Sequence, residues 1–588
     1  MPVDHLLLAQ SIKITNWLTP VWIMSIGISI GYLLVLLLLL KIWLCQRIPG
    51  INAVTEKTMS RWIVGLLTSA AYLALFIAFL YWISRGTLRF DSNLILPLSF
   101  AVPICLLAGF GIWNVMSRRM RGEMSDLIFD GFLSWVNKVC WIALAFALLG
   151  FGLAATNGFG IVKFVDEPMG IVKSFVRLPW MGSFQREFDI PGSTEGNTGE
   201  KLPISFDGAE LQALIFECDN RLEAASMEIT PGMPPNRLLV VDTVAGEPSI
   251  YVQRPDGSGA FPAEPIGGIY VKNLGKNATK LKVTWDLVPV FREVIVIPMF
   301  VIVTVAIYMS YLIFVSLFPK IGAIAFSTFK TEAGQPLFLL VIGMTMAFLL
   351  GTIFVPYNTF GEDIKMYKDS GLNLIRVLAI FLAIWAASKS VAEEIEGRTA
   401  LTVLSKPVGR RQFVFGKFTG ISLAIAVMFI VVGLWFYIWV AYKPVYDNQE
   451  SSKGIAEWSE CFLEAINVMP GLFLCFLEVI IFVAISVAIS TRFGILANFL
   501  ICFSIYVLGH LTPLLVQSSL GAFETVAVFG RLVAIVFPVL DHFDVQAAIN
   551  NNTTVPTEYI AWAVIYTGLY SSMAMLVALV LFEDRDLA

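Results

Sequence analysis

Charge is what this sequence has least of. Only 14% of its 588 residues are Asp, Glu, Lys or Arg, against 57% hydrophobic, which excludes an ordinary soluble globular protein and points to a polytopic membrane protein. A net charge of -4, with no block of basic residues, leaves nothing to grip nucleic acid. The seven cysteines are scattered, and Cys45, Cys105, Cys140, Cys475 and Cys502 fall inside apolar segments. Neither a disulfide framework nor a CxxC metal pair follows from that spacing. Histidine occurs three times, too sparsely for a metal cluster. A phosphate-cradling P-loop is also missing: Gly409 and Gly416-Lys417 have the wrong separation, and Phe418 stands where the loop requires a hydroxyl. The sequence therefore predicts a chain that does not hydrolyse ATP itself.

What is present is a series of apolar runs. Stretches long enough to cross a bilayer, roughly 20 residues each, are predicted at 21–45, 62–84, 94–116 and 133–156. The first is too long, and lacks the small-residue cleavage site, to be a removable signal. A further crossing is expected at 294–318, and six more at 336–356, 372–391, 417–442, 467–489, 494–516 and 558–582, about eleven in all. Arg47, Lys57 and Arg61, with Arg118, Arg119 and Arg121, mark one side of the first four as cytoplasmic. The amino terminus is then expected outside, and the carboxyl terminus in the cytoplasm.

Between Asn157 and Arg292 the apolar runs shorten, and Pro, Gly, Asp and Asn recur every few residues. In TKLKVTWDL, Leu281, Val283, Trp285 and Leu287 alternate with polar residues, and SIYVQ and GGIYV read likewise as short strands. The expectation is a β-sandwich of one domain. Crossing parity puts it outside the cytoplasm, where Asn277-Ala278-Thr279 matches a glycosylation sequon, as does Asn551-Asn552-Thr553-Thr554 on the same face. Its lone Cys218 means that the domain must hold together by its own core. The organisation is then an N-terminal membrane region of four helices (1–156), the extracytoplasmic domain (157–292), a connecting membrane helix (293–318) and a six-helix membrane domain (319–588). The fold class is a mainly α membrane bundle with an inserted β-rich domain.

The most polar stretch between two strong apolar runs is VAEEIEGRTALTVLSKPVGRRQFVFGK, Val391 to Lys417. Glu394 and Arg398 stand four apart with the acid first, and Leu401, Leu404 and Val408 recur at helical spacing, which describes a short amphipathic helix. Pro407 should stop it, and Gly409 lets the chain turn. Arg410, Arg411 and Lys417 then favour the cytoplasmic side. Glu393, Glu394, Glu396, Gly397, Thr399, Leu404, Ser405, Pro407, Arg410, Gly416 and Lys417 resemble the coupling region of type-2 ABC exporter permeases, an acidic EExEG start followed by a Thr-Leu-x-x-Leu-Leu-Ser-x-Pro centre and a Gly-Lys end. The resemblance runs from about residue 318 to YTGLYSSMAMLVALVLFEDRDL at the end, and not into the first half. It implies a plasma-membrane exporter subunit whose coupling helix docks on a separate ATPase. The contacts would be Glu393, Glu394, Glu396, Arg398, Thr399, Leu401, Leu404, Pro407 and Arg410. It also implies a second permease copy, identical or related, with ATP and magnesium held by the partner and no cofactor on this chain. The stripe Ile321, Ile324, Ala325 and Phe329 is predicted to make residues 319–335 an interfacial helix, in line with the elbow helix of that family.

Two other classes compete. EEIEGR also fits the EExxxR pattern of CAAX-processing intramembrane proteases, whose water activation needs a second base. Tyr506 to His510 only approximates that family's Phe-x-x-x-His, and His542 lacks the following partner. A non-transporting assembly factor, with the external domain recruiting a partner, is the third reading. Inside the spans Glu478 stands out: an isolated carboxylate there costs about 3 kcal/mol on insertion scales, so it should face the bundle interior and find a partner. It is the candidate for the translocation path. His510, close to Pro513, reads as a packed polar residue at a kink.

Overall fold

A computed structural model of the chain describes residues 16–45, 58–83, 113, 128–155, 168–178, 181–192, 199–218, 220–229, 238–241, 249–252, 260–262, 264–275, 277–355, 362–397, 409–452, 454, 456–518, 528, 537–553 and 555–583. The described helices are α1 (Leu18–Cys45), α2 (Thr58–Ile83), α3 (Phe132–Ala155), α4 (Pro168–Arg177), α5 (Val296–Leu317), α6 (Pro319–Ala333), α7 (Pro336–Ile353), α8 (Asp363–Ala387), α9 (Glu393–Glu396), α10 (Arg410–Glu450), α11 (Trp458–Ser490), α12 (Ile495–Ser518), α13 (Gln546–Asn550) and α14 (Thr557–Glu583). Ten of the eleven expected crossings coincide with helices, and 94–116 lies outside the described residues apart from residue 113. Eight helical stretches are long and apolar enough to cross a membrane. α2 and α12 contribute shorter apolar stretches, Trp62–Ala74 and Ile495–Leu511. Between α12 and α14 the described residues form a 3-10 turn, Leu540–Phe543, and the short α13, neither long enough to cross.

The chain divides into two compact units, Met1–Phe164 with Met299–Ala588, and Val165–Pro298. The second is strand-rich. Its strands are β1 (Gly182–Ile190), β2 (Glu200–Leu202), β3 (Phe206–Asp207), β4 (Leu211–Glu217), β5 (Leu222–Ala225), β6 (Leu239–Val241), β7 (Ser249–Val252), β8 (Pro265–Ile266), β9 (Ile269–Asn273) and β10 (Thr279–Leu287). They form antiparallel sheets in the orders β1-β10-β4-β7 and β2-β9-β5-β6, with β3 and β8 as a small pair. Alternation puts Leu281 and Val283 of β10 beside Leu214 and Phe216 of β4, and this face shares one core with Leu222, Val241, Ile269 and Val271 of the other sheet. That is a sandwich. Arg177 at the end of α4 ties into it, 2.7 Å from the buried Glu210 carboxylate and 3.5 Å from Asp207. Burial pushes the Glu210 carboxyl above its usual range, opposed by the Arg177 charge and reinforced by Asp207.

In the membrane unit α1 and α3 belong to the same bundle as the later helices. Trp22 of α1 donates its indole N–H to Ala147 O on α3 at 3.2 Å, and any Cβ at Gly150 would strike the Trp22 ring. At the other helices, Tyr437 Oη of α10 donates to Pro20 O, and Asn16 Nδ2 donates to Ala456 O at 2.9 Å. The buried Tyr308 of α5 donates to Asn137 of α3.

The apolar stripe of α6 is covered by protein: Ile324, Ala325 and Thr328 lie against Gly416 and Gly420 of α10. A pair of glycines four residues apart lets two helix backbones come close. A Cβ at Gly420 would fall 2.6 Å from Thr328 Cβ and 2.8 Å from Ala325 O, so Gly420→Leu is expected to cost about 1–3 kcal/mol by overpacking. Gly343→Leu on α7, where a Cβ meets nothing within 4 Å, is the control and should leave the heat resistance of the purified protein unchanged. Equal melting of both variants would show that the close approach of α6 and α10 contributes no stability.

Candidate functional site

The segment following α8 is continuous with it. α8 passes without a break through a π-helical turn, Ser388–Ala392, into α9, and Gly397 N donates back to Glu393 O at 2.8 Å. A π-turn carries one more residue than the α-helical register allows and survives where neighbours hold it. Here the holder is Asn498 of α12: its side-chain amide lies 2.8 Å from Ser388 Oγ, 2.7 Å from Ser486 Oγ and 2.8 Å from Ser490 Oγ, all four residues being buried. The start of the predicted coupling segment is thereby keyed to α11 and α12.

Beneath it sits a charge network. Lys417 Nζ of α10 donates to Glu394 Oε1 at 2.5 Å; both belong to the coupling-region match, and Glu394 to the expected contacts. Lys417 is buried and Glu394 one-third exposed. The buried Glu332 of α6 completes the group, accepting from Gln335 Nε2 at 2.9 Å. Burial pushes the Glu332 carboxyl up to about 7; Lys417 and Lys389 pull it down, and Glu394 and Glu393 push it further up. No sequence signal singled out Glu332, because its partners are distant in the chain. Glu393 is exposed.

Arg410, also expected at the contact, is exposed but engaged at the end of α14: Nη1 donates to Glu583 O at 2.8 Å, and its guanidinium lies 5.9 Å from the Phe582 ring centroid. A cation at the carbonyl end of a helix is favoured by the helix dipole. Arg398, Thr399, Leu401, Leu404 and Pro407 lie outside the described residues, as does the side chain of Glu396.

Glu478, the candidate for the translocation path, is fully buried on α11 and does find a partner, Arg376 Nη1 of α8 at 3.3 Å. Arg376 also donates to Asn373, and its Nη1 lies 3.5 Å from His510 Nε2 of α12. Three helices therefore meet at one buried polar cluster. Arg376 lies in a predicted span but carried no sequence signal of pairing; an arginine matched to a buried carboxylate is what membrane insertion requires.

At the opposite end of α8, Lys368 Nζ donates to Glu464 Oε2 at 2.6 Å and to Ile549 O at 3.1 Å, and Lys443 Nζ donates to Ile353 O at 3.0 Å. Asp363, Asp447 and Glu450 bring carboxylate oxygens within 4.8 Å of one another there, beside the Lys443 ammonium 2.8 Å from Asp447.

No curated protein matches the chain. The family model described as ABC-2 family transporter protein matches residues 291–587, just over half of the chain. It spans the elbow, the π-turn and its charge network, and the helices of the Arg376–Glu478 cluster. With its several membrane-length apolar helices, the chain is a multi-pass membrane protein that belongs to the ABC-2 transporter family, whose members are the membrane components of ABC transporters.

Proposed function

We propose that the chain is the permease subunit of an ATP-driven exporter in the plasma membrane, energised by a separate ATPase that docks on the segment Glu393 to Arg410. The supporting observation is the convergence at that segment. α8 enters it through a π-turn locked to α11 and α12, and Lys417 of α10 grips Glu394 next to the elbow carboxylate Glu332. A push on this segment is carried directly into α8, α10, α11 and α12. Glu393, Glu394, Glu396 and Arg398 form the polar rim of the contact and Leu401 and Leu404 its apolar centre; ATP and magnesium belong to the partner. Two permease copies face the two halves of an ATPase dimer.

The same reading puts the docking segment and the carboxyl terminus in the cytoplasm, with the amino terminus and the β-rich unit outside. It fits α1 starting at the far end of the bundle, where Asn16 meets the residues before α11. Co-purification tests the docking surface. Leu404→Asp is expected to abolish association with the ATPase and stimulation of its turnover while the variant still reaches the membrane. Association and stimulation at wild-type levels would remove Leu404 from the contact, and labelling of Arg410 from the cell exterior would overturn the whole arrangement.

A further inference from the structure

His510 sits where α8, α11 and α12 meet, and its surroundings fix its hydrogen positions. Nδ1 lies 3.2 Å from the backbone carbonyl oxygen of Tyr506, one helical turn earlier. That oxygen can only accept, so Nδ1 carries the hydrogen and the neutral ring presents a lone pair at Nε2. Arg376 Nη1, 3.5 Å away, points a donor at that lone pair. On the other side of Nε2, at 3.9 Å, is Glu478 Oε1, a buried carboxylate oxygen with no hydrogen-bond partner among the described residues. Both atoms are acceptors in that state, and 3.9 Å is longer than a hydrogen bond, so they must close by about 1 Å for one hydrogen to join them. Glu478 is fully buried and Arg376 nearly so, whereas the His510 side chain is 30% exposed and is the least covered member of the cluster.

We propose that His510, Glu478 and Arg376 form a proton-binding site inside the membrane domain. In the unprotonated state Arg376 donates to His510 Nε2 and, separately, to Glu478 Oε2. An arriving proton bonds to Nε2, the Arg376–His510 hydrogen bond is lost, and the new N–H turns to Glu478 Oε1. The imidazolium and guanidinium then repel each other, so α12 is drawn toward α11 and pushed from α8. No covalent bond other than the new N–H is made or broken. Among the described residues, the other charged and titratable groups around the cluster are Asp369 on α8, Cys475 on α11, Tyr506 on α12, and Asp541 and Asp544 beside α12. Because α8 runs on into Glu393, proton uptake would alter the segment assigned above to the ATPase. That consequence rests on the proposed docking, but the proton site does not.

Histidine-selective nitrogen-15 NMR of the full chain in lipid nanodiscs tests the site without any ATPase. The chain has three histidines, so His510→Gln identifies the signal. At high pH His510 should show the Nδ1–H tautomer, and it should convert to imidazolium on acidification. Glu478→Gln, a near-isosteric change, should lower the midpoint by about one pH unit, and Arg376→Gln should raise it by a similar amount, tenfold in proton affinity each way. An Nε2–H tautomer in the unsubstituted chain, a ring that stays neutral down to pH 5, or a midpoint indifferent to Glu478→Gln would each overturn the proposal. The first two are read in the unsubstituted chain, where His5→Gln and His542→Gln, both outside the cluster, assign the His510 signal by elimination, so misfolding of a cluster variant does not protect the idea. A normal titration alongside ATPase stimulation that does not change with pH would leave the proton site standing and remove only its link to the docking segment.

Discussion

Lys417→Met is expected to destabilise the folded chain by about 2–3 kcal/mol and to collapse ATPase stimulation to its unstimulated level. The substitution keeps the length and apolar body of the side chain, so what disappears is the charge gripping Glu394 at 2.5 Å. Removing one partner of a fully buried pair costs about 3–5 kcal/mol. The smaller figure applies here because Glu394 is one-third exposed and water recovers part of its solvation. The cost should depend on pH in a defined direction. Burial pushes the Glu332 carboxyl up to about 7 in the fold, against roughly 4.3 in an unfolded chain. The folded state therefore binds the extra proton between those values, and this group's contribution to stability is present below the unfolded value and falls as pH rises toward 7. Without Lys417 the neutral form is favoured still more, so the window extends upward, and the deficit of Lys417→Met should be larger at pH 8 than at pH 6. Adding Glu332→Gln should abolish that difference. Heating series at the two pH values, followed by the fraction still monodisperse, give the comparison. A deficit that grows on acidification would mean that Glu332 and Lys417 do not interact as described.

Legibility in the sequence followed the range of each interaction. The spans were readable because hydropathy is summed over neighbours in the chain, and ten of eleven expected crossings coincide with helices. In the same way Leu281 and Val283 announced an inward strand face, because alternation is local. The polar partners were not readable: Glu478 and Arg376 are 102 residues apart, Lys368 and Glu464 are 96 apart, and only packing says which buried cation meets which acid. The π-turn was equally hidden, since it depends on Asn498, 110 residues beyond Ser388. The amphipathic pattern of α6 was correctly seen but pointed at lipid. Its stripe instead meets Gly416 and Gly420, whose lack of side chains creates the groove. Residues with a visible motif role also took on other tasks, as Arg410 does at the carbonyl end of α14.

Lys368→Met is expected to be the most damaging single change to stability, at about 3–5 kcal/mol. Lys368 is 1% exposed, and its ammonium is shared between the Glu464 carboxylate at 2.6 Å and the Ile549 carbonyl at 3.1 Å, so one side chain joins α8, α11 and α13. Without it Glu464, 14% exposed, keeps the Asn552 amide at 3.0 Å and becomes a nearly buried carboxylate with no cation in contact among the described residues. The damage would come less from a lost attraction than from this stranded charge, because the Coulomb gain of a buried pair is largely offset by desolvation. A double change then separates the two. Lys368→Met with Glu464→Gln removes both charges and leaves an amide that still accepts from Asn552, and it should recover most of the loss, with a coupling of at least 2 kcal/mol in the cycle, about thirtyfold in the folding equilibrium. Additive losses in the double variant would mean that the ammonium matters for Ile549 and α13 rather than for Glu464. The same cycle locates the mechanical anchor of α8, whose other end enters the π-turn: if this end is fixed by an ion pair, movement at Glu393 must be taken up along the helix, past Arg376.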